Sequence, residues 1–581
     1  PKVSLHYYHT LGGTVFIKWD MLYCAIIRLK IFDIMNILSL IASHDASVAY
    51  ISDGKLKYFA KEERLSGYKH DKGFTKCLDY IIKNDFKVDL VVLNSVFSSD
   101  NFNDFLETIL KKQFNCNVIN LRYEHHLSHA CLAFYNSGYD NALVFVADRN
   151  GSKDEYCAEV ESIFKIDKNY NIASVYKNLA AAQIGKVDFD EEIVNRVRQY
   201  KIKNPTCDVR CDSTLGVTQV YESATTLIGE CVLNNGKVMG LSSYGKDADF
   251  KSLFHDGIAN SHLFMKCMVD GHDKVLLKEH YGKAIREVNE TSYQFYADYS
   301  FQVQKQTQEE VLRIIKHYVE KTNIKKVCVT GGYGLNVVTN QYLIKNLPEV
   351  DFYFEPISDD TGISLGAAIY AHKNEVGTVP HIPKHTFFHH VNYDLKDIKG
   401  KRVSEQDIAN FIIDQKTVAV FNGQAEVGPR ALGNRSILFD VRNPKAKDIV
   451  NRIKRREWYR PFACSVLKED AKEYFEMYHL DESPNMTISF PVKTDSIPGV
   501  THVDNTCRIQ TVDSSIPHFY NLIKEFKKIT GTSVILNTSF NLAGEPLVES
   551  LDDAIDVFNR SEIDVLWFPE KRIAIIKKDM Q

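Results

Sequence analysis

At 581 residues the chain is longer than a single hydrophobic core sustains, so two or more domains are expected. With 44% hydrophobic and 25% charged residues, the composition is that of a globular protein and excludes a large disordered portion. A net charge of -4 gives no ground for general nucleic-acid binding.

The 12 cysteines are scattered, only Cys207 and Cys211 lie close together, and no paired CxxC knuckles occur. That usage predicts reduced thiols in a cytoplasmic protein. Near the start, Met21-Leu22-Tyr23-Cys24-Ala25-Ile26-Ile27 is apolar, but Arg28 and Lys30 interrupt it well short of the ~20 residues a membrane span needs. Met35 opens directly onto a strand and is read as the native start, with 1–34 an upstream extension; a membrane anchor is the alternative.

From Asn36 the pattern reads strand, turn, strand. Ile37 to Ile41 is apolar, His44-Asp45-Ala46-Ser47 turns, Val48 to Ile51 returns, and Asp53-Gly54 signals a hairpin into Leu56 to Ala60. Glu62-Glu63-Arg64-Leu65-Ser66-Gly67-Tyr68-Lys69-His70 is too charged for a core and reads as a solvated face or a substrate-facing loop. Val88 to Leu93 is a further strand. In Glu124-His125-His126-Leu127-Ser128-His129-Ala130 a helix would put His125 and His129 on one face, four positions apart, with His126 turned away. That spacing suits two ligands to one metal ion; surface or packing histidines are the plain alternative.

Two carboxylates are candidates to complete such a shell. Asp148 ends the apolar run Leu143 to Ala147, where open α/β sheets bind ligands. Asp360 precedes the small-residue helix start Leu365-Gly366-Ala367-Ala368. For each, a helix cap or turn aspartate is the alternative.

The stretch from about 160 to 290 reads as irregular and polar. Within it, Gly236 to Gly245 places three glycines around Lys237, without P-loop spacing. An amphipathic helix follows, with Val311, Ile315, Tyr318 and Val319 on one face. The strand Val327-Cys328-Val329 then runs into Thr330-Gly331-Gly332-Tyr333-Gly334-Leu335-Asn336, a turn that lets backbone N–H groups approach a nucleotide or is simply tight. Two strand-rich halves, each with a glycine or aspartate turn, suggest a duplicated actin-like core around a cleft. A linker is placed over 376–400, on Gly377, Pro380 and Pro383, with His389-His390 facing solvent. It divides 35–375 from a second α/β unit over 401–581.

In that second unit the strand Val418 to Phe421 leads into Gly428-Pro429-Arg430-Ala431-Leu432-Gly433-Asn434-Arg435-Ser436, where Arg430 and Arg435 are candidates to fork onto phosphate oxygens. Lys454-Arg455-Arg456-Glu457-Trp458-Tyr459-Arg460-Pro461-Phe462 interleaves cations with aromatics, which favours an anion site over a solvated basic face. Arg508 adds another cation. The strand Val534-Ile535-Leu536 ends in Asn537-Thr538-Ser539-Phe540-Asn541, whose short amides and hydroxyls suit nucleotide or carbamoyl recognition.

Taken together these motifs resemble the O-carbamoyltransferases of the nodulation-factor and antibiotic-tailoring type, from Met35 to the C-terminus. Gly428 to Ser436 is the most specific element, supported by Arg460-Pro461-Phe462-Ala463, Asn537 to Asn541 and, in the first half, His125 to Ala130, Gly236 to Leu241 and Gly331-Gly332. The resemblance implies an actin-like (Kae1-like) domain followed by a YrdC-like domain. It also implies a two-step reaction: carbamoyl phosphate and ATP (with Mg2+) give carbamoyl adenylate, and the carbamoyl group passes to an acceptor hydroxyl beside a metal, usually iron. By that match His125, His129, Asp148 and Asp360 hold the metal, and His44 and Lys69 lie at the transfer site, with His44 suited to act as general base near neutral pH. Gly331, Gly332, Asn336 and Gly362 are the candidates for nucleotide there. Lys454, Arg460, Arg508 and Ser539 handle carbamoyl phosphate and ATP, with Arg430, Arg435 and Asn537 beside them. Two imidazoles and two carboxylates suit iron, zinc or manganese, so iron rests on the resemblance alone.

Three positions depart from the family pattern: Arg149 where a glycine is expected after Asp148, Cys464 where a proline is usual, and Asn234-Asn235 where an acidic residue is common. The expected acceptor is a small hydroxylated molecule, a sugar, natural product, nucleoside or nucleotide; no membrane partner is expected, and self-association is left open. The competing readings are a threonylcarbamoyl-type tRNA modification factor and a non-catalytic actin-like nucleotide-binding module.

Overall fold

The structure, a computed structural model, describes residues 35–95, 100–152, 157–181, 191–259 (except 214, 229, 249 and 251), 293–388 and 393–577. The expectations for 1–34 and for His389-His390 lie outside the described residues.

The first sheet has the order β3-β2-β1-β4-β5. Strands β1 (Ile37–Ala42), β2 (Ser47–Ser52) and β3 (Lys55–Lys61) form an antiparallel meander. β4 (Leu90–Ser95) and β5 (Asn117–Asn120) continue it in parallel. All six residues of β1 are buried, as a continuous apolar run covered on both faces requires. At the β2–β3 turn Asp53 and Gly54 both take positive φ, 52° and 66°, the backbone of the hairpin that this dipeptide predicts.

The second sheet repeats the connectivity. β6 (Asn141–Ala147), β7 (Cys157–Asp167) and β8 (Ile172–Ala181) form the meander, with β9 (Asp208–Ser213) added outside β8. A small ribbon, β10 (Phe254–His255) and β11 (Ile258–Ala259), lies apart from it. β12 (Lys326–Thr330) and β13 (Asp351–Phe354) then run parallel to β6. The duplication expected from sequence is therefore a matter of connectivity. The region read as irregular is, in its described part, largely the long β7–β8 hairpin, β9 and the helix Val217–Leu227; alternation in these strands is masked because β7 is buried on both faces.

Between the sheets two helices cross closely. The histidine helix (His125–Ser137) packs on the helix Thr361–Val376, and small residues set the distance. A Cβ on Gly366 would stand 1.8 Å from the Ser128 carbonyl oxygen, and one on Gly362 2.3 Å from that of Ile357. Gly362 is thus a packing residue.

The third sheet has nine strands in mixed directions, in the order β14-β22-β21-β15-β16-β20-β17-β19-β18. They are β14 (Lys401–Arg402), β15 (Val418–Phe421), β16 (Arg435–Phe439), β17 (Ala463–Leu467), β18 (Ser489–Pro491), β19 (Thr506–Val512), β20 (Val534–Ser539), β21 (Val565–Phe568) and β22 (Ile573–Ile576). Polar contacts tie it to the first two. Arg64 donates through Nη1 to the Glu426 carbonyl at 2.8 Å and through Nη2 to that of Gly428 at 3.2 Å, and Asn340 donates to the Thr487 carbonyl at 2.8 Å.

For the stretch Glu62 to His70 the structure corrects the solvated-face alternative, since Glu63, Arg64, Lys69 and His70 line an internal cavity. The stretch opens with the helix Glu62–Ser66, in which Glu62, Glu63 and Arg64 are buried because each finds partners. Glu62, for one, accepts from the Lys76 and Cys77 backbone amides at 2.7 and 2.9 Å. No described helix is long and apolar enough to cross a membrane.

Candidate active site

A cavity of about 690 Å³ lies between the sheets and is lined from all three. At one end its wall holds two aspartates, Asp148 after β6 and Asp360 at the start of the helix Thr361–Val376, and the buried histidines His125 and His129 stand directly behind them. His125 Nε2 lies 3.1 Å from Asp148 Oδ2 and 3.6 Å from Asp360 Oδ1; His129 Nε2 lies 3.6 and 3.8 Å from the same two oxygens. All four side chains are buried, and one ligand atom from each lies within 4.8 Å of every other. His129 Nε2 is buried with no hydrogen-bond partner, aimed at the shared point. The donor set and the convergence fit a divalent cation. Asp360 makes no side-chain cap to its helix, so the capping alternative fails for it; Asp148 splits its duties, one oxygen accepting from the Arg149 amide at 2.8 Å. His126 points the other way, 2.7 Å from Ser162 Oγ. Burial alone would strip charge from His125, but Asp360 and Asp148 outweigh it and raise its pKa to about 9.

Next to this centre, the β1–β2 turn presents His44. Its Nδ1 is 3.1 Å from Asp45 Oδ2, and its Nε2 is 3.8 Å from Asp360 Oδ2. Burial would lower its pKa, yet the two carboxylates raise it to about 9. Asp45 also holds His70, at 2.9 Å, and Lys61, at 2.8 Å. Lys61 is fully enclosed, with Asp359 at 3.3 Å and Glu63 at 3.4 Å. Asp45, Glu63 and His70 could reach a common cation, and the Lys61 ammonium sits at their carboxylates. Neither Lys61 nor Asp45 stood out from sequence. Lys61 ends β3 in a run of four buried residues and pairs with Ser47 beside the Asp45 turn, a placement no local pattern announces.

The far end of the cavity is cationic. Lys454 Nζ, at the close of the helix Ala446–Lys454, donates to Ser539 Oγ at 3.2 Å and to Asn541 Oδ1 at 2.8 Å. Burial, with Arg456, Lys69 and Arg460 nearby, holds its pKa well below the usual ammonium range. Burial and the mutual repulsion of Arg430, Arg456, Arg460 and Arg508 likewise lower Arg430 and Arg456, and bring Arg508 down to about 10. Among the described residues, Arg460 alone of these four arginines forms an ion pair with a carboxylate, Glu457 at 3.4 Å. Arg456 is an addition that sequence reasoning left among its neighbours. Cations gathered this way, with little counter-charge, require an anion. Lys69 lines the wall of the cavity, its pKa lowered by desolvation.

Some expected residues are not brought to the cavity. Arg435 is wholly buried and spends its donors on carbonyls: Asn422 at 2.7 Å, Asn434 at 3.0 Å, Gly423 at 3.1 Å and Glu549 at 3.2 Å, with its guanidinium 3.8 Å over the Phe421 ring. It braces the Gly428–Ser436 turn and does not face phosphate. Gly331, at φ 83°, packs on the Ala147 carbonyl, where a Cβ would stand at 2.4 Å, and Gly362 packs helices; neither lines the cavity. Gly332 does, its amide 3.4 Å from Asp148 Oδ1. Asn336 lines it while capping the next helix through Thr339, and Asn537 lines it while donating to Ser465 Oγ at 2.9 Å.

A duplicated α/β core joined to a mixed-sheet unit, sharing one cavity with a buried ligand set at one end and cations at the other, is the framework of a group-transfer enzyme. The family profile described as carbamoyltransferase N-terminus matches residues 80–369, and that described as carbamoyltransferase C-terminus matches 409–574. The chain belongs to the carbamoyltransferase family and is a transferase. Nodulation protein NolNO of Sinorhizobium fredii is 29% identical, over 90% of this chain and 78% of that protein. Nodulation protein NolO of Bradyrhizobium diazoefficiens is 29% identical, over 76% of this chain and 77% of that protein. Among solved structures, full-length HypF in a phosphate- and nucleotide-bound form aligns with a TM-score of 0.36 at 15% identity, covering 58% of this chain and 55% of that one.

Proposed function

We propose that the chain is an ATP-dependent O-carbamoyltransferase that makes carbamoyl adenylate in its C-terminal, YrdC-like unit and delivers the carbamoyl group to an acceptor hydroxyl in its N-terminal, Kae1-like unit. The observation that carries this is the shared cavity, with the cation cluster at one end and, at the other, Asp148 and Asp360 backed by His125 and His129. Lys454, Arg430, Arg456, Arg460 and Arg508 offset the charge of carbamoyl phosphate and ATP. Water hydrolyses carbamoyl phosphate to carbamate and inorganic phosphate, and a carbamate oxygen then attacks the α-phosphorus of ATP with loss of pyrophosphate. The acceptor hydroxyl then attacks the carbamoyl carbon, and AMP departs.

A divalent cation held by His125, His129, Asp148 and Asp360, iron by the family resemblance, would supply Lewis-acid polarisation of the carbamoyl carbonyl. His44, aimed by Asp45, takes the hydroxyl proton once it has shed its own. Lys61 keeps Asp45 ionised, and so keeps His44 in position.

The test is pyrophosphate release from ATP, with and without carbamoyl phosphate and without acceptor, in the wild type, Lys454→Ala and His125→Ala. Release is expected to depend on carbamoyl phosphate, to fall by about a hundredfold or more in Lys454→Ala, and to survive largely intact in His125→Ala. Release independent of carbamoyl phosphate in wild-type protein would sink the mechanism.

A further inference from the structure

Arg149 follows the metal-ligand candidate Asp148 directly and reaches into the same cavity. Its Nε faces Glu222 Oε2 at 3.0 Å. The Glu222 side chain is 4% exposed, on the helix Val217–Leu227, so the guanidinium is held from behind. Among the described residues no hydrogen bond engages its two terminal nitrogens, and at 36% its side chain is more open than those of Arg460, at 22%, and Lys237, at 16%. A guanidinium drawn to a buried carboxylate along its Nε edge by charge, without a hydrogen bond, and open at its fork presents the face that pairs two oxygens of a carboxylate or phosphate.

The surrounding wall offers little to a cation. Asn234 and Asn235 are neutral, Glu230 is taken by Lys237 at 2.7 Å, and Glu222 is committed to Arg149. The wall also lies apart from the C-terminal cluster. It is built from the helix Val217–Leu227 and the stretch Cys231 to Lys237, and Cys231 is exposed to solvent. Carbamoyl adenylate would come from the interior end, whereas an acceptor must enter from solvent.

We propose that the acceptor of this enzyme bears a negatively charged group, carboxylate or phosphate, which Arg149 receives while the hydroxyl is presented to the transfer centre. The inference rests on the carbamoyl-adenylate reading above and adds the acceptor's charge class to it.

Transfer from radiolabelled carbamoyl phosphate, with ATP present, is measured to D-glucose, D-glucosamine, D-glucuronate and D-glucose 6-phosphate. Each rate is divided by the same protein's acceptor-free pyrophosphate release. Wild type is expected to favour at least one anionic sugar over glucose by about tenfold or more in kcat/KM. Arg149→Gln should bring that ratio close to one, and Arg149→Lys, which keeps charge but loses the fork, should fall between. Equal or better transfer to glucose or glucosamine in the wild type, transfer to none of the four, or an unchanged ratio in Arg149→Gln overturns the proposal. An unchanged ratio together with altered acceptor-free release would assign Arg149 to the adenylate phosphate instead. A wild type without carbamoyl-phosphate-dependent release would fail earlier, at the adenylate reading, and the inference would fall with it.

Discussion

Charge at this site is set residue by residue, and the two long cations of the Gly428–Ser436 turn show how. Arg430 lines the cavity, while Arg435 faces four carbonyls and an aromatic ring. From sequence the pair was indistinguishable, because a fork aimed at backbone looks the same as one aimed at phosphate. Arg435→Met should therefore cost stability, about 3 kcal/mol by denaturant unfolding, since carbonyls lose a charged partner in the interior. Activity per folded molecule should change little; a hundredfold loss with unaltered unfolding would return Arg435 to the anion site. Lys61 shows the opposite failure. It falls between the predicted strand and the charged stretch and draws no reading, because its partners Asp45 and Asp359 become neighbours only when the chain folds. The convergence of His125, His129 and Asp148 was readable for the converse reason: four-residue helical spacing and a carboxylate at a strand end are local patterns that folding leaves in place.

At the level of elements, helix contact governs the site. Gly366 brings the helix carrying His125 and His129 against the helix opened by Asp360, and nothing larger fits against the Ser128 carbonyl. Gly366→Ala should push the helices apart, lower bound metal per chain by elemental analysis, and destabilise by several kcal/mol. Unchanged metal content would mean the crossing tolerates movement. The start of the helix Val217–Leu227 carries a second device, Glu161, which accepts from the Val217 amide at 2.6 Å. Burial raises its pKa to about 7, so the folded protein binds a proton there that the unfolded chain releases near pH 4.3. Its contribution is full below the unfolded value and fades as pH rises through about 7. Unfolding free energy of Glu161→Gln should thus decline less between pH 4.5 and 8 than that of the wild type, by up to roughly 3 kcal/mol. Parallel profiles would place the proton elsewhere. Such elements were the hardest to read beforehand: β7 has both faces covered, so the period that marks a half-buried strand is missing from the start of the stretch that reads as irregular.

For the whole molecule, the cation cluster should make stability depend on what is bound. Carbamoyl phosphate, bound as proposed, would neutralise repulsion present only in the folded form, so the thermal midpoint should rise by about 2 °C or more at 100 times Kd. The rise should shrink in Arg508→Gln, and a shift of the same size in that variant would argue for binding elsewhere. The two repeated sheets carry a last consequence. Each places a carboxylate in its first turn, Asp45 after β1 and Asp148 after β6, and each carboxylate needs a positive partner. In the first copy that partner is Lys61, made with the chain; in the second it would be an ion drawn from the surroundings. Duplication has thus left one half self-sufficient and the other reliant on supply. Under chelation, deuterium uptake should quicken across 125–148 while 37–61 stays as it was.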